Sequence, residues 1–161
     1  MLYDEAVLEN IKTKLTQAKK TVSVAESVTA GHLQAALSSA IEASRFFQGG
    51  ITTYNLGQKC RHLQVDPINA AENDCVAKEV ACTMARNVTA LFTSHYGIAI
   101  TGYASKMPEK GLNHLFAYFA IADRDTVVLC EKITTGKERV DAQVDYARQV
   151  LQRFAEIIGH K

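Results

Sequence analysis

Residues 25–59 read AESVTAGHLQAALSSAIEASRFFQGGITTYNLGQK and decide the fold that we predict. An apolar, β-branched run over residues 21–25 leads into this stretch and predicts a strand. A helical pattern over 29–39 follows, and a second strand is predicted over 46–54. Strand, helix and strand in this order are typical of α/β folds, which bind ligands at the carboxyl ends of their strands. This stretch therefore predicts both the fold class and the position of a site.

The remaining pattern extends the same architecture over the chain. Amphipathic helices are predicted over 4–18, 76–92 and 137–158, with a short helix over 55–63 and loop or irregular helix over 66–74. Further strands are predicted over 96–103, 112–121 and 126–134, the last two as an antiparallel pair. The order predicts an α/β fold of three layers, α/β/α, with a mixed sheet of about five strands. No linker or repeat interrupts the sequence, so we expect one domain over 1–161.

Composition restricts the classes of partner. Hydrophobic residues make up 47% and charged residues 22%, and the formal net charge is +1. This balance gives no electrostatic basis for nucleic-acid or membrane binding. No apolar run reaches the roughly 20 residues that span a bilayer. The first residues carry acids and lack the apolar segment of a signal peptide, so we expect a cytoplasmic protein.

Cysteine and histidine spacings do not predict a metal site. The four cysteines form no CxxC pair, and we expect them to pack as reduced thiols. The five histidines, of which His160 is the last, do not pair with cysteine or carboxylate at ligand spacing. We therefore expect no metal and no cofactor.

Several polar residues of the central stretch have a structural and a functional interpretation. Ser27 and Thr29 lie where a helix begins, where a hydroxyl commonly caps the helix. Ser44 is an ordinary loop serine unless a base activates it, and Lys59 can serve if burial lowers its pKa. The N–H groups of Gly49 and Gly50 would then be available to stabilise an oxyanion, although paired glycines in a strand also indicate a bulge or a close backbone approach.

Two further positions allow the same two interpretations. Tyr54 ends the second predicted strand, where an aromatic residue commonly packs. Thr101 and Gly102 end a strand that we expect to be buried on both faces, and they either turn the chain or present a hydroxyl and an N–H to a ligand.

These residues together resemble a known family. AESVTAGHL is similar to the AES-C-T-G-G-L segment of the CinA carboxyl-terminal domain, whose stand-alone members are nicotinamide mononucleotide amidohydrolases of the PncC type. SRFFQGGITTYNLGQK is similar to the family pattern S-S-x-x-F-x-G-G-x-x-x-Y-S-N-x-x-K. VAKEVACTMA and IAITG resemble two later family segments, so the likeness covers essentially the whole chain.

The resemblance implies an activity and a set of site residues. It implies metal-free hydrolysis of the carboxamide of nicotinamide mononucleotide to nicotinic acid mononucleotide and ammonia, by a competence/damage-inducible protein that forms a homodimer or a larger assembly. It assigns the nucleophile to Ser44, the general base to Lys59 and an assisting role to Tyr54. The implied substrate-binding positions are Ser27, Thr29, Gly49, Gly50, Thr101, Gly102 and Arg139.

The sequence also departs from the family pattern, and this keeps alternatives open. The family has a glycine-rich loop after its Thr-Gly, whereas only Tyr103-Ala-Ser-Lys-Met107 precedes Pro108 here. A shorter loop without glycines cannot wrap a phosphate in the same way. The late basic motif is shifted in register at Arg139. The alternatives are an inactive paralogue that binds a nucleotide or a protein, and an enzyme with a changed substrate in which Lys106 or Lys110 supplies charge.

Overall fold

The computed structural model describes residues 1–158, and residues 159–161 lie outside the described part of the chain. Five strands form one sheet in the order β2-β1-β3-β4-β5. The strands are β1 Val22–Glu26, β2 Phe47–Thr52, β3 Tyr96–Gly102, β4 Leu115–Asp123 and β5 Thr126–Thr135. The helices are α1 Glu5–Ala18, α2 His32–Ser38, α3 Leu56–Leu63, α4 Pro67–Glu72, α5 Lys78–Phe92 and α6 Arg139–Ile157. The predicted α/β fold with a mixed five-stranded sheet is confirmed.

The topology opens a crevice beside β1. Strands β2 and β3 both pair with β1 in parallel, whereas β3–β4 and β4–β5 are antiparallel. The chain leaves β1 to form β2 on one side and returns later to form β3 on the other. Connections that diverge from neighbouring parallel strands leave a crevice at the carboxyl ends of those strands. A ligand site is therefore expected next to the end of β1.

The two faces of the sheet are built from side chains of different size. Large side chains such as Val24, Ile98 and Phe119 pack against α1, α2 and α6 on one face. Small residues such as Ala25 and Ala99 form the other face, against which α5 packs. Small side chains allow α5 to approach the strands closely, and this approach fixes the floor of the crevice on that side.

Gly97 shows how close this contact between α5 and β3 is. A Cβ atom at Gly97 would lie 2.2 Å from the carbonyl oxygen of Ala85 on α5. No side chain fits into that space, so the helix rests directly on the backbone of β3.

The glycine pair in β2 has a structural explanation. The pairing register between β1 and β2 shifts between Val22 and Ser23, so the expected bulge is present. A Cβ at Gly50 would lie 2.6 Å from the side chains of Gln34 and Val24, so the expected close approach is present as well. The backbone of β2 therefore passes directly beneath α2.

Two local expectations are corrected. Residues 67–72, expected as loop or irregular helix, form the regular helix α4, because Asp66 caps it through Ile68 N–H and Pro67 begins it. The amphipathic pattern over 76–92 also places Leu91 in register with Val80, Met84 and Val88, which are buried, but 49% of the surface of Leu91 is exposed. Within residues 1–158, every helix is too short or too polar to cross a membrane.

Candidate active site

A pocket of about 540 Å³ lies at the carboxyl ends of β1, β2 and β3. This volume falls within the range of roughly 300–1,000 Å³ that is typical of small-molecule sites. Its polar lining comes from the ends of the three strands, from the start of α3 and from the segment between α4 and α5. The lining residues are Ser27, Val28, Tyr54, Asn55, Leu56, Lys59, Ala71, Asp74, Cys75, Val76, Thr101, Gly102, Tyr103, Ala104, Ser105 and Met107.

A lysine and a serine meet in this pocket. Lys59 Nζ lies 2.7 Å from Ser27 Oγ and 2.8 Å from the carbonyl oxygen of Thr53. Ser27 directly follows β1, Thr53 directly follows β2 and Lys59 is on the first turns of α3, whose N-terminus is capped by Asn55 through Gln58 N–H. Three elements thus converge to hold one amine against one hydroxyl.

Lys59 lies in an unusual environment for an amine. Only 1% of its surface is exposed, and it forms no ion pair with a carboxylate anywhere in residues 1–158. Burial penalises the charged ammonium, so it lowers the pKa of Lys59 below its ordinary value, and the more distant charges of Cys75 and Asp74 oppose this effect only partly. A neutral amine can accept a proton, so Lys59 is chemically suited to act as a base.

The carboxylate of Glu26 fixes the turn that presents Ser27. Glu26 is fully buried, and its two oxygens accept hydrogen bonds from the N–H groups of Leu33 and Gln34 at the start of α2. The Thr29 hydroxyl and the Gln34 side-chain amide also donate to it. An internal carboxylate therefore occupies the positive end of α2 and takes the N–H groups that an external anion would need.

One wall of the pocket is formed by Tyr103 and Asp74. The backbone N–H of Tyr103 donates to the Phe116 carbonyl, its carbonyl accepts from the Tyr146 hydroxyl, and its ring packs edge-on against the Phe116 ring. Burial and the neighbouring Asp74 carboxylate, which accepts from the Tyr103 hydroxyl, raise the pKa of Tyr103. The tyrosine is therefore a rigid platform with an acidic group at its edge.

The Asp74 segment is conformationally unusual. Asp74 and Cys75 both have positive φ angles, 53° and 64°, which non-glycine residues rarely adopt. The Cys75 N–H donates to the Ala70 carbonyl at 2.7 Å, and the Thr101 hydroxyl donates to the Cys75 carbonyl at 2.8 Å. These bonds from α4 and β3 hold the strained pair in place, with both residues lining the pocket.

The loop after Thr101-Gly102 closes on itself. Met107 and Leu112 exchange two backbone hydrogen bonds, and the N–H groups of Lys110 and Gly111 donate to carbonyls of Met107 and Pro108. Lys106 forms an exposed ion pair with Glu138 at 3.3 Å. Neither Lys106 nor Lys110 lines the pocket, so the charge that the sequence suggested these lysines might supply to a ligand is not in place.

The expected contact between Ser44 and Lys59 is not formed. Ser44 lies in an exposed 3₁₀ turn, Ala43–Arg45, before β2, whereas Lys59 follows the opposite end of that strand. Six strand residues at about 3.3 Å each separate the two ends by roughly 20 Å. The physical reason is that β1 and β2 are parallel, so residues before β2 lie at the edge of the sheet opposite the pocket.

The other expected site residues divide into two groups. Tyr54, Thr101 and Gly102 line the pocket with Ser27 and Lys59. Thr29, Gly49, Gly50 and Arg139 do not line it. Thr29 is buried against Glu26. Gly50 lies beneath α2, whereas a Cβ at Gly49 would face the ring of Phe92 at the end of α5. Arg139 begins α6 and contacts the loop through its backbone N–H, which donates to the Ala104 carbonyl at 2.6 Å.

Sequence reasoning missed Asp74, Cys75 and Tyr103 as site residues. Tyr103 follows the Thr-Gly of β3 directly, and its position after a buried strand is a signal that could have identified it. Asp74 and Cys75 carry no such signal, because their strained turn becomes visible only in three dimensions. No group of three or more histidine, cysteine or acidic residues within 1–158 could hold a metal ion, and His160 lies outside the described residues.

The fold and the pocket define a class: a three-layer α/β/α protein with a serine and a buried lysine in contact at the carboxyl ends of its parallel strands. Residues 4–158 match the family described as the CinA C-terminal domain. The chain therefore belongs to the CinA C-terminal domain family.

Similar proteins agree with this membership. A competence-damage inducible protein of Streptococcus thermophilus is 33% identical over 124 residues, which cover 77% of this chain and 29% of that protein. A protein of the same description from Desulforamulus reducens is 30% identical over 155 residues, covering 92% of this chain and 38% of that protein. This chain thus spans about a third of the length of these relatives.

Solved structures share the fold. The competence damage-inducible protein A (ComA) of Klebsiella pneumoniae superposes with a TM-score of 0.90 at 23% identity, covering 97% of both chains. The competence/damage inducible protein CihA of Agrobacterium tumefaciens gives a TM-score of 0.86 at 24% identity, with 97% of this chain and 95% of that chain covered. At these identities, the likeness establishes the architecture alone.

Proposed function

We propose that this chain is an amidohydrolase that cleaves a carboxamide with Ser27 as nucleophile and Lys59 as general base. One observation carries the proposal: a lysine that is 99% buried and not ion-paired within residues 1–158 contacts a serine hydroxyl at 2.7 Å inside a pocket. A serine needs a base to become nucleophilic, and a desolvated lysine is such a base. The family resemblance suggested Ser44 for this role, but Ser27 is the serine within reach of the amine.

The proton transfers balance over two half-reactions. Ser27 Oγ attacks the amide carbonyl carbon while Lys59 Nζ takes the hydroxyl proton. Lys59 returns this proton to the amide nitrogen as the C–N bond breaks, and ammonia leaves an ester on Ser27. Water then attacks the ester, Lys59 takes a proton from the water and returns it to Ser27 Oγ, and the carboxylic acid is released.

The backbone after Ser27 offers donors for the developing oxyanion. The N–H groups of Val28 and Thr29 donate to no other residue in the described chain. Val28 also lines the pocket. In other serine hydrolases, the N–H of the residue after the nucleophile commonly stabilises the tetrahedral intermediate, so we assign this role to Val28.

The substrate class follows from the family resemblance together with the pocket. The resemblance indicates nicotinamide mononucleotide, which would be hydrolysed to nicotinic acid mononucleotide and ammonia. A pocket of about 540 Å³ has room for a nicotinamide ring and its ribose, and Tyr54 and Tyr103 provide aromatic surface for the ring. Pyridine carboxamides are therefore the first substrates to test.

The test measures ammonia released from nicotinamide mononucleotide by the wild-type protein and three variants. Ser27→Ala and Lys59→Met should each lower kcat by about 10³-fold or more, because each removes one partner of the reacting pair. Ser44→Ala is the matched control, since it removes an equal hydroxyl at the far edge of the sheet, and its rate should stay within about twofold of wild type. Loss of turnover in Ser44→Ala with retention in Ser27→Ala would reverse the assignment.

A binding protein without turnover is the second candidate. Two features of the site favour a binding protein. The loop is hydrogen-bonded to itself through Met107 and Leu112 instead of wrapping a phosphate, and an acidic residue, Asp74, lines the pocket. The two candidates give opposite results in one experiment. Absence of ammonia release from every pyridine carboxamide, together with measurable binding of one of them, would support the second.

A further inference from the structure

Helix α6 is attached to the pocket wall through two backbone carbonyl groups. The side-chain amide of Gln143 donates to the Val28 carbonyl at 2.9 Å. The Tyr146 hydroxyl donates to the Tyr103 carbonyl at 2.8 Å. Side chains three positions apart lie on the same face of a helix, and both acceptors belong to residues that line the pocket. One face of α6 therefore holds the pocket lining from behind.

The turn after β1 leaves two backbone donors free beside Ser27. The Ser27 N–H donates to a carbonyl of β3, and the Ser27 carbonyl accepts from the Ala30 N–H. Among residues 1–158, the N–H groups of Val28 and Thr29 donate to no other residue. Backbone N–H groups of buried residues nearly always have a partner, so these two are available to a ligand.

Each free N–H shares a planar peptide group with a carbonyl that is held in place. The Val28 N–H belongs to the peptide of the Ser27 carbonyl, which is bonded within the turn. The Thr29 N–H belongs to the peptide of the Val28 carbonyl, which Gln143 holds. In a trans peptide, such as this one, the N–H and the carbonyl point in opposite directions. The Thr29 N–H is therefore directed away from α6.

The reacting pair lies on the side of the sheet that faces away from α6. Helix α6 packs with α1 and α2 on one face of the sheet, whereas α3, which carries Lys59, packs with α5 on the other face. Lys59 contacts the Ser27 hydroxyl from that second face. The Thr29 N–H thus points toward the side on which a tetrahedral intermediate on Ser27 would form.

We infer that Gln143 is a positioning residue of the proposed reaction, on which this inference rests. It fixes the peptide between Val28 and Thr29 so that the N–H of this peptide, beside that of Val28, donates to the oxyanion formed when Ser27 attacks the amide. Gln143 itself touches neither the substrate nor the reacting atoms. Donors held in advance at the position of the developing charge are what stabilises such an intermediate. Without the Gln143 bond the peptide turns more freely, and part of the molecules presents one donor instead of two.

Gln143→Met tests this role, because it removes the donor and keeps nearly the same length of side chain. With nicotinamide mononucleotide as substrate, kcat should fall by about threefold to tenfold, the equivalent of one hydrogen bond, while KM stays within about twofold. Gln149→Met is the matched control, because the Gln149 amide also donates to a carbonyl from α6 at 2.9 Å, that of Thr134, and neither residue lines the pocket. Its kcat and KM should match wild type. Equal losses in both variants would reduce the effect to the docking of α6 and overturn the inference.

The thioamide of the same nucleotide separates donation to the oxyanion from a general loss of structure. Sulfur is a weak hydrogen-bond acceptor, so N–H donors stabilise a developing thioanion much less. The ratio of kcat for the amide to kcat for the thioamide should therefore fall by about threefold or more in Gln143→Met. Gln143→Glu, which has the same shape but an acceptor in place of the donor, should lower the ratio at least as much. Gln143→Lys supplies an N–H donor again and should restore it. An unchanged ratio in the first two variants, or no recovery in the third, would overturn the inference.

A boronic acid distinguishes failure of this inference from failure of the proposed function. If the wild-type protein releases no ammonia, titration with pyridine boronic acid, followed by boron NMR, decides the role of Gln143. The Ser27 oxygen adds to boron, its proton passes to Lys59, and a boron-bound oxygen takes the position of the oxyanion; Ser27→Ala should abolish this adduct. A Kd about threefold to tenfold higher in Gln143→Met than in Gln149→Met and wild type would support the inference. Equal Kd values, or no adduct with the wild-type protein, would overturn it.

Discussion

Replacing Glu26 with glutamine should destabilise the protein strongly while changing hardly any volume. The two carboxylate oxygens accept from Thr29 and Leu33 on one side and from the backbone and side chain of Gln34 on the other. In Glu26→Gln, an NH₂ group replaces one of these oxygens. The Thr29 hydroxyl can rotate and the Gln34 amide can flip, but one backbone N–H then faces the NH₂ group in either orientation.

The expected loss in the free energy of unfolding follows from the hydrogen bonds that this substitution leaves unmade. One buried N–H without an acceptor costs about 1–3 kcal/mol. Loss of a negative charge at the positive end of α2 costs about 0.3–1 kcal/mol more, and up to about 2 kcal/mol at a buried site such as this one. The sum is about 3 kcal/mol, which corresponds to a fall in Tm of about 6–12 °C for a chain of this size.

Urea unfolding at pH 7, followed by circular dichroism, measures the effect. Thr29→Val is the graded control, because it removes one donor and leaves the carboxylate with three, and it should cost only about 1 kcal/mol. A free energy of unfolding for Glu26→Gln within about 0.5 kcal/mol of wild type would refute the reasoning, since the turn before Ser27 would then not depend on the carboxylate.

Three further perturbations test the packing and the charge of the site. The free energy of unfolding of the wild-type protein should rise relative to that of Lys59→Met as the pH increases from the lowered pKa of Lys59 toward 10.5. The reason is that the folded state binds fewer protons than the unfolded state in this pH range. A difference that stays constant with pH would contradict a buried, desolvated amine. Gly50→Ala should cost about 1–3 kcal/mol in urea unfolding, because its Cβ would lie 2.6 Å from Gln34, and a neutral result would show that β2 moves freely. Tyr146→Phe should lower the free energy of unfolding by about 1 kcal/mol and raise KM more than it lowers kcat, because it removes the hydrogen bond to the Tyr103 carbonyl. An unchanged KM would show that the position of Tyr103 does not depend on this bond.

Most of the fold could be predicted because its signals are local. The helices α1, α5 and α6 and the buried strand β3 each carry their own periodicity, and their order in the chain restricts the topology to a few α/β arrangements. Helix α4 was not predicted as a regular helix because six residues are too few to establish a period, although the sequence shows the capping residue Asp66.

The site could be predicted only in part. The sequence singled out Lys59 as a base on the condition that burial lowers its pKa, and in the structure it is buried and its pKa is lowered. Its partner depends on how α3 leaves β2, which no spacing of residues specifies. Ser27 and Lys59 are 32 residues apart, whereas Ser44 is closer in the sequence and stands beside a glycine pair that resembled an oxyanion loop. Gly50 instead makes room for Gln34, so the feature that favoured Ser44 is explained by packing.

The packing of α1 against α6 has a consequence for biosynthesis. The apolar side of α1, formed by Leu8, Ile11 and Leu15, belongs to the same cluster as the buried side of α6, which is made more than 120 residues later. The second edge of β1 likewise stays unpaired until β3 has been synthesised. A nascent chain on the ribosome therefore carries an incomplete sheet and an uncovered helix until α6 emerges, and this domain folds as a unit only after α6 has been made.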